Sequence, residues 1–175
     1  MAKPTFQTHK GMVDILPDEI AQWQKLESIV REAARLFNFE EIRTPVLEPT
    51  ELIARGIGEL TDIVTKEMFA FERGDDHYVL RPELTAPIAR SYIQHHLDQR
   101  GGTQNLFYMG PMFRAEQPQK GRQRQFHQFG AELIGSGEPE ADVEIIRFLR
   151  EVVRKVGITN TTLKINSVGD PQSRV

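Results

Sequence analysis

The chain has 175 residues, no cysteine and a formal net charge of −3 at pH 7. This length suits one domain with a proper core, and the missing cysteines exclude disulfides and Cys-ligated zinc. A weakly negative chain has no general attraction to nucleic acid, so any RNA contact must come from a local basic patch.

The histidine spacing and the length of the apolar runs exclude further classes of site and of protein. The five histidines are scattered or directly adjacent, as at His95 and His96, and lack metal-ligand spacing, so we expect no metal site built by the protein. No apolar run is long enough for a membrane span, and residues 1–10 lack a signal-peptide core. We therefore expect a soluble, cytoplasmic chain.

The first predicted elements are a long helix and a strand. Apolar side chains recur every three or four residues from Ile20 to Phe37, which predicts an amphipathic helix beginning after Pro17 and ending near residue 38. Residues 39–48 predict a strand. Because Pro45 cannot donate to a central ladder, this strand should lie at an edge or a break.

Short elements follow. Thr50 is the predicted cap of a short helix that runs to residue 55, and residues 68–72 and 78–81 predict the two arms of a hairpin. The second arm leads into a helix with Thr85 as predicted N-cap. The buried stripe predicted for that helix consists of Ile88, Ala89, Tyr92, Ile93 and Leu97.

Glu83 lies at the corner between this strand and this helix. Corners of this kind often carry ligand groups, and a carboxylate there can receive an ammonium, with the Thr85 hydroxyl beside it. The same residues also suit a purely structural role, in which Glu83 complements the positive helix end and Thr85 caps it. The two roles are compatible.

Residues 106–135 predict a strand, a basic loop and a second strand. Alternation places His127, Phe129, Ala131 and Leu133 on a face that packs on helices, and Phe126, Gln128, Gly130, Glu132 and Ile134 on the other. An amide and a carboxylate flank a glycine on the second face, which predicts open space for a small polar ligand.

The basic loop, residues 114–124, contains Arg114, Lys120, Arg122 and Arg124, with Glu116 among them. Guanidinium groups match phosphate oxygens in bidentate geometry, so this loop is a candidate polyphosphate clamp. A solvated loop with ordinary surface charge is the alternative, and spacing alone does not separate the two.

The last predicted elements are a helix over residues 141–156 and a strand over residues 162–167. The predicted buried stripe of the helix consists of Val143, Ile146, Leu149, Val153 and Val156. Hairpins and helices that do not strictly alternate favour an α+β fold with a mainly antiparallel sheet flanked by helices.

Residues 112–128 read Met-Phe-Arg-Ala-Glu-Gln-Pro-Gln-Lys-Gly-Arg-Gln-Arg-Gln-Phe-His-Gln. This run resembles motif 2 of the class II aminoacyl-tRNA synthetases, in the form of the histidyl-tRNA synthetase family, and the similarity extends from Gly11 to about Asp170. The resemblance implies that residues 1–175 are the N-terminal part of a class II catalytic domain. Motif 1 then covers about residues 18–48 and motif 2 about residues 104–135, while motif 3 and the anticodon-binding domain are absent. We accordingly expect an incomplete catalytic core that binds weakly and turns over poorly alone.

The resemblance also implies a reaction and its partners. ATP with Mg²⁺ would activate L-histidine to histidyl-adenylate, the histidine would pass to tRNA(His), and motif 1 would form a homodimer. The implied ATP-binding residues are Arg114, Glu116, Arg122 and Phe126, with Arg114 also catalytic. The implied histidine-binding residues are Glu83, Thr85, Gln128 and Glu132. Weaker implied contacts to the tRNA acceptor end are Gln119, Lys120 and Arg124.

Two other functions remain open from sequence. The regulatory subunit of ATP phosphoribosyltransferase resembles a synthetase without aminoacylating, but its motif 2 loop is typically eroded, whereas Glu116, Lys120 and Arg122 are all present here. A non-catalytic RNA-binding or dimerisation module with the same fold is the more distant alternative. Histidine binding without ATP binding would favour the first, and tRNA binding indifferent to Arg114 the second.

Overall fold

The computed structural model describes residues 5–58, 61 and 63–166. The helices are α1 (Pro17–Leu36), α2 (Thr50–Ile57), α3 (Thr85–Gln94) and α4 (Pro139–Val156), with a π-helical turn at Ile63–Glu67 and a 3-10 turn at Leu97–Arg100. The strands are β1 (Glu40–Glu41), β2 (Leu47–Pro49), β3 (Phe69–Arg73), β4 (Asp76–Leu80), β5 (Gln104–Phe113) and β6 (Gln125–Ile134). No helix within these residues is both long and apolar enough to span a membrane.

The larger sheet has the order β1-β5-β6. Strands β5 and β6 pair antiparallel over their whole length, whereas β1 runs parallel to β5. Tyr108 faces Gly130 in this register, and Gly110 faces Gln128. Directly opposite residues share a face of a sheet, so these four side-chain positions lie on one side. The predicted α+β fold with a mainly antiparallel sheet is confirmed.

The two faces of this sheet are covered differently. Helices α1 and α4 pack on one face around Phe107, Phe148 and Val152, and Phe129 and Ala131 of β6 join this core as predicted. The other face packs against Leu84 and Ile88 at the start of α3. Its strand residues Leu106, Tyr108 and Met112 belong to this second core. The exposed part of this second face is where the candidate site lies.

The smaller sheet has the order β2-β4-β3, and β3 and β4 form the predicted hairpin with its turn at Gly74 and Asp75. Arg81 joins the two sheets and is only 5% exposed. Its guanidinium donates to the carbonyl oxygens of Thr44 at 2.7 Å, Pro45 at 3.2 Å and Pro111 at 3.2 Å. Because Arg81 directly precedes Pro82 and Glu83, this joint fixes the corner that carries Glu83.

Several local predictions need correction. The predicted strand over residues 39–48 is two short edge strands, β1 and β2, with Pro45 between them, so the predicted break is confirmed. Thr50 does not cap α2, because Pro49 takes the N-cap position and the Thr50 hydroxyl oxygen is buried without a hydrogen-bond partner. Ala89 and Ile93 on α3 are exposed, whereas Ile88 is buried as predicted.

The predicted buried stripe of α4 is wrong at three of its five positions, since only Ile146 and Val153 are partly buried. Phe148 and Val152 face the sheet, while Val143, Leu149 and Val156 are exposed. The Phe148 ring stacks on Phe39 with ring centroids 5.0 Å apart, and this aromatic packing sets the rotation of the helix. The part of the predicted strand 162–167 that lies within the described residues is irregular, because it pairs with no strand there. Residue 167 lies outside the described residues.

Candidate functional site

The corner before α3 is built by Glu83. Its carboxylate accepts hydrogen bonds from the backbone N–H groups of Thr85 and Ala86, which are otherwise unpaired at the start of the helix. Leu84 is the N-cap residue, so the prediction that Thr85 caps α3 is wrong and the structural role considered for Glu83 is confirmed. Because Glu83 satisfies the helix end, the Thr85 hydroxyl is left available for another contact.

That contact is with Glu132 on β6. The Thr85 hydroxyl donates to Glu132 Oε1 at 2.8 Å. Burial raises the pKa of Glu132, and the nearby charge of Glu83 adds to this rise, while hydrogen bonds from Thr85 and Tyr108 oppose it. Neither carboxylate forms an ion pair with a described residue. Two carboxylates without a cation form an acidic patch that suits an ammonium or a protonated ring.

Tyr108 is a site residue that the sequence analysis missed. It stands opposite Gly130, and a Cβ built on Gly130 would overlap the Tyr108 hydroxyl and ring. The predicted open space above Gly130 is therefore filled by this ring. Burial and then the charge of Glu132 raise the pKa of Tyr108 to about 12, although hydrogen bonds with Thr85 and Gln128 oppose the rise. A hairpin whose loop spans residues 114–124 pairs Phe113 with Gln125 and therefore Tyr108 with Gly130. This register was the signal that could have identified Tyr108.

Arg114 extends from the end of β5 towards the same corner. Its Nε donates to the carbonyl oxygen of Pro82 at 3.1 Å, and its Cζ lies 5.1 Å from the centroid of the Phe126 ring. Pro82 directly precedes Glu83, so a guanidinium and the acidic patch are neighbours. An amino acid zwitterion has this charge pattern, with an ammonium for the carboxylates and a carboxylate for the guanidinium.

Side chains of the basic loop pair with one another. Arg122 Nη1 lies 2.9 Å from Glu116 Oε2, and Arg124 Nε donates to the Glu116 carbonyl oxygen at 3.1 Å. Gln119 and Arg122 exchange backbone hydrogen bonds of 3.2 and 2.9 Å across the tip, where Lys120 is exposed. A ligand that binds both Glu116 and Arg122 must therefore first break the ion pair between them.

The basic loop is fastened at both ends by distant backbone groups. The Gly11 carbonyl oxygen accepts the N–H groups of Arg124 at 2.7 Å and Gln125 at 3.1 Å, and Ala115 donates to the Glu67 carbonyl oxygen at 2.7 Å. Gly11 has φ of +85°, and a Cβ there would press on Pro118 and Arg124. Sequence patterns do not reveal such pairings, because they join segments far apart in the chain.

The structure thus gathers most of the predicted site residues into two adjoining parts. Glu83, Thr85, Gln128 and Glu132 surround Tyr108, and Arg114 with Phe126 leads from them to the basic loop. No group of three or more potential metal ligands occurs among the described residues. The arrangement is chemically suited to an amino acid beside a phosphorylated ligand.

Comparisons with known proteins agree on one family. Residues 11–169 match the family described as histidyl-tRNA synthetase. The histidine–tRNA ligase of Synechococcus is 54% identical over 96% of this chain and 40% of its own length, and that of Streptococcus gordonii is 50% identical over 96% and 40%. The chain thus spans about 40% of the length of these curated relatives.

Solved structures give the same result. The apo histidyl-tRNA synthetase of S. aureus superposes with a TM-score of 0.73 at 35% identity, over 87% of this chain and 35% of that chain. A Bacillus halodurans protein described as an ATP phosphoribosyltransferase regulatory subunit/histidyl-tRNA synthetase superposes with a TM-score of 0.75 at 30% identity, over 91% and 40%. Both likenesses extend over most of the described chain.

Proposed function

Because the chain belongs to the histidyl-tRNA synthetase family, we propose that it carries the histidine-binding and ATP-binding part of a histidine–tRNA ligase. In this reaction a histidine carboxylate oxygen attacks the α-phosphorus of ATP, and pyrophosphate leaves. The resulting histidyl-adenylate then passes its histidyl group to tRNA(His). The observation that carries the proposal is that Glu83 and Glu132 lie close together without an ion pair to a described residue, while Arg114 donates to the carbonyl oxygen of Pro82, which directly precedes Glu83.

Histidine is proposed to bind with its ammonium at Glu83, Thr85 and Gln128 and its imidazole at Glu132. The Thr85–Glu132 hydrogen bond of 2.8 Å supports this division, because it fixes one oxygen of the Glu132 carboxylate. A ring N–H that donates to a half-buried carboxylate is a strong criterion for selection. Analogues without that N–H would leave the carboxylate unpaired.

ATP is proposed to enter with Mg²⁺ along the basic loop. Arg114 would bridge the histidine carboxylate and the α-phosphate, where its charge stabilises the negative charge that grows in the transition state. Glu116 would accept the adenine amino group, Arg122 would hold the distal phosphate, and Phe126 would stack on the adenine. The exposed loop residues Gln119 and Lys120 and the partly buried Arg124 are proposed contacts for the tRNA acceptor end.

The wider organisation is part of the same proposal. Residues 1–175 would form the N-terminal part of a cytoplasmic class II catalytic domain, with motif 1 over about residues 18–48 and motif 2 over about residues 104–135. Motif 1 is the proposed homodimer surface. Its helix α1 supports this role, because Ile20, Leu26 and Leu36 are exposed apolar side chains.

Isothermal titration of the chain with L-histidine tests the histidine site. We expect saturable binding that weakens at least about tenfold in Glu132→Gln, because a charged acceptor is lost. Glu27→Gln, an exposed carboxylate on α1, is the matched control and should leave the affinity unchanged. Equal affinity in Glu132→Gln and the wild-type chain would contradict the proposed histidine site. Histidine binding with no ATP binding would instead favour the regulatory-subunit function that the Bacillus halodurans description also names.

A further inference from the structure

The Tyr108 ring lies flat against the strand at Gly130. A Cβ at position 130 would collide with the hydroxyl oxygen, Cζ and Cε2 of the tyrosine, so the hydroxyl occupies the place where any other residue would have its side chain. Tyr108 is 4% exposed and belongs to the core with Leu84, Ile88 and Met112. The ring is therefore fixed by packing, and the hydroxyl has a defined position.

That position lies between two proposed histidine-binding residues. Side chains at i and i+2 of a strand share a face, so Gln128 and Glu132 flank Gly130 on the side where the hydroxyl lies. A carboxylate can only accept a hydrogen bond, whereas an amide NH₂ can donate one. Tyr108 satisfies both neighbours when it donates to Glu132 and accepts from Gln128.

We propose that Tyr108 is a positioning residue that holds Gln128 and Glu132 in the orientation that receives histidine. The inference deepens the proposed function and rests on it for the identity of the ligand. The Glu132 carboxylate then has two fixed donors, Thr85 from the start of α3 and Tyr108 from β5. The amide of Gln128 is turned so that its oxygen points away from the hydroxyl and can accept from an ammonium.

Charged and titratable groups lie on the elements next to this hydroxyl. Glu132 lies on β6 and Glu83 before α3, while the Arg81 guanidinium lies over Gly110, the next position along the same face of β5. The hydrogen bond from Tyr108 lowers the pKa of Glu132 against the raising effect of burial. Without the hydroxyl, the pKa of Glu132 should rise further, and the carboxylate should lose one of its two fixed donors.

The test compares the chain with Tyr108→Phe, which keeps the buried ring, and with the control Tyr78→Phe, which removes the hydroxyl bonded to Asp76 on the other sheet. The pKa of the Glu132 carboxyl is followed by NMR, and L-histidine affinity is measured across pH by calorimetry. In Tyr108→Phe we expect the pKa of Glu132 to rise and L-histidine affinity to fall about tenfold. The pH below which histidine affinity declines should also move upward. Tyr78→Phe should match the wild type in all three.

Two outcomes separate this inference from the proposed function. An unchanged Glu132 titration in Tyr108→Phe would overturn the positioning role, whatever the affinity for histidine. If the wild-type chain bound no L-histidine while the Glu132 titration still depended on Tyr108, the coupling would be supported and the proposed function contradicted. The NMR measurement thus decides the role of Tyr108 without requiring a bound ligand.

Discussion

The Thr85 hydroxyl donates to the Glu132 carboxylate at 2.8 Å and so joins residues 47 positions apart in the chain. This bond exists because Glu83 satisfies the start of α3 in place of Thr85. One carboxylate thereby builds the helix end, and the freed hydroxyl orients the second carboxylate. The acidic patch follows directly from how the helix begins.

Replacing Thr85 with valine tests this division of roles. Thr85→Val keeps the shape of the side chain but removes the donor to Glu132, so we expect L-histidine affinity to fall about tenfold with little loss of helix stability. Glu83→Gln should instead weaken both, since a neutral amide complements the helix end less well. Calorimetry and thermal unfolding monitored by circular dichroism distinguish the two variants. A large stability loss in Thr85→Val would contradict the finding that Glu83 satisfies the start of the helix.

The raised pKa of Glu132 gives a signed prediction for stability. A carboxyl whose pKa is higher in the folded than in the unfolded chain binds more protons when folded, so stability falls as pH rises from its ordinary pKa through the raised value. Glu132→Gln removes this cost, and we therefore expect it to raise Tm at pH 7. At pH 4 the difference should shrink. A lower Tm for Glu132→Gln at pH 7 would show that ionised Glu132 stabilises the fold.

Arg81 is predicted to be the most sensitive structural side chain near the site. Arg81→Met removes the donors to three backbone carbonyl oxygens that sit between the sheets, and we expect the free energy of unfolding to fall by about 3 kcal/mol. Arg154→Ala on the exposed face of α4 is the control and should change it little. Urea denaturation measures both. Equal free energies of unfolding for the two variants would mean that the Arg81 hydrogen bonds between the sheets do not stabilise the fold.

The basic loop should discriminate between the two ligands. Arg122→Ala breaks the ion pair with Glu116 and removes a proposed phosphate contact, so ATP affinity should fall about tenfold while L-histidine affinity stays unchanged. Arg43→Ala, which breaks an exposed ion pair with Glu41, is the control. A parallel loss of histidine affinity in Arg122→Ala would indicate that the loop supports the whole site instead of the phosphates.

The sequence predicted the faces of β6 well, because strand alternation alone assigns Gln128 and Glu132 to one side and Phe129 and Ala131 to the other. It did not predict Tyr108 above Gly130, since that depends on the register between two strands joined by a loop. The rotation of α4 was missed for a related reason. The helix has apolar residues on two sides, and contacts of Phe148 with Phe37 and Phe39 decide which side faces the sheet.

The residues of the corner show the same limit. The structural role predicted for Glu83 is confirmed, but the sequence could not tell that Glu83 and not Thr85 would pair with the backbone N–H groups at the start of α3. The anchoring of the basic loop to Gly11 and Glu67 was also beyond local patterns, because backbone groups carry no sequence signature of their distant partners.

Titration with a non-hydrolysable histidyl-adenylate analogue tests the central claim most directly, because the analogue occupies the histidine and ATP parts together. The chain is compared with Arg114→Ala and with the surface control Arg154→Ala. We predict saturable binding that weakens at least about tenfold in Arg114→Ala and is unchanged in the control. Binding that is indifferent to Arg114, or no binding by the wild-type chain, would contradict the proposal that these residues form the site of histidine activation.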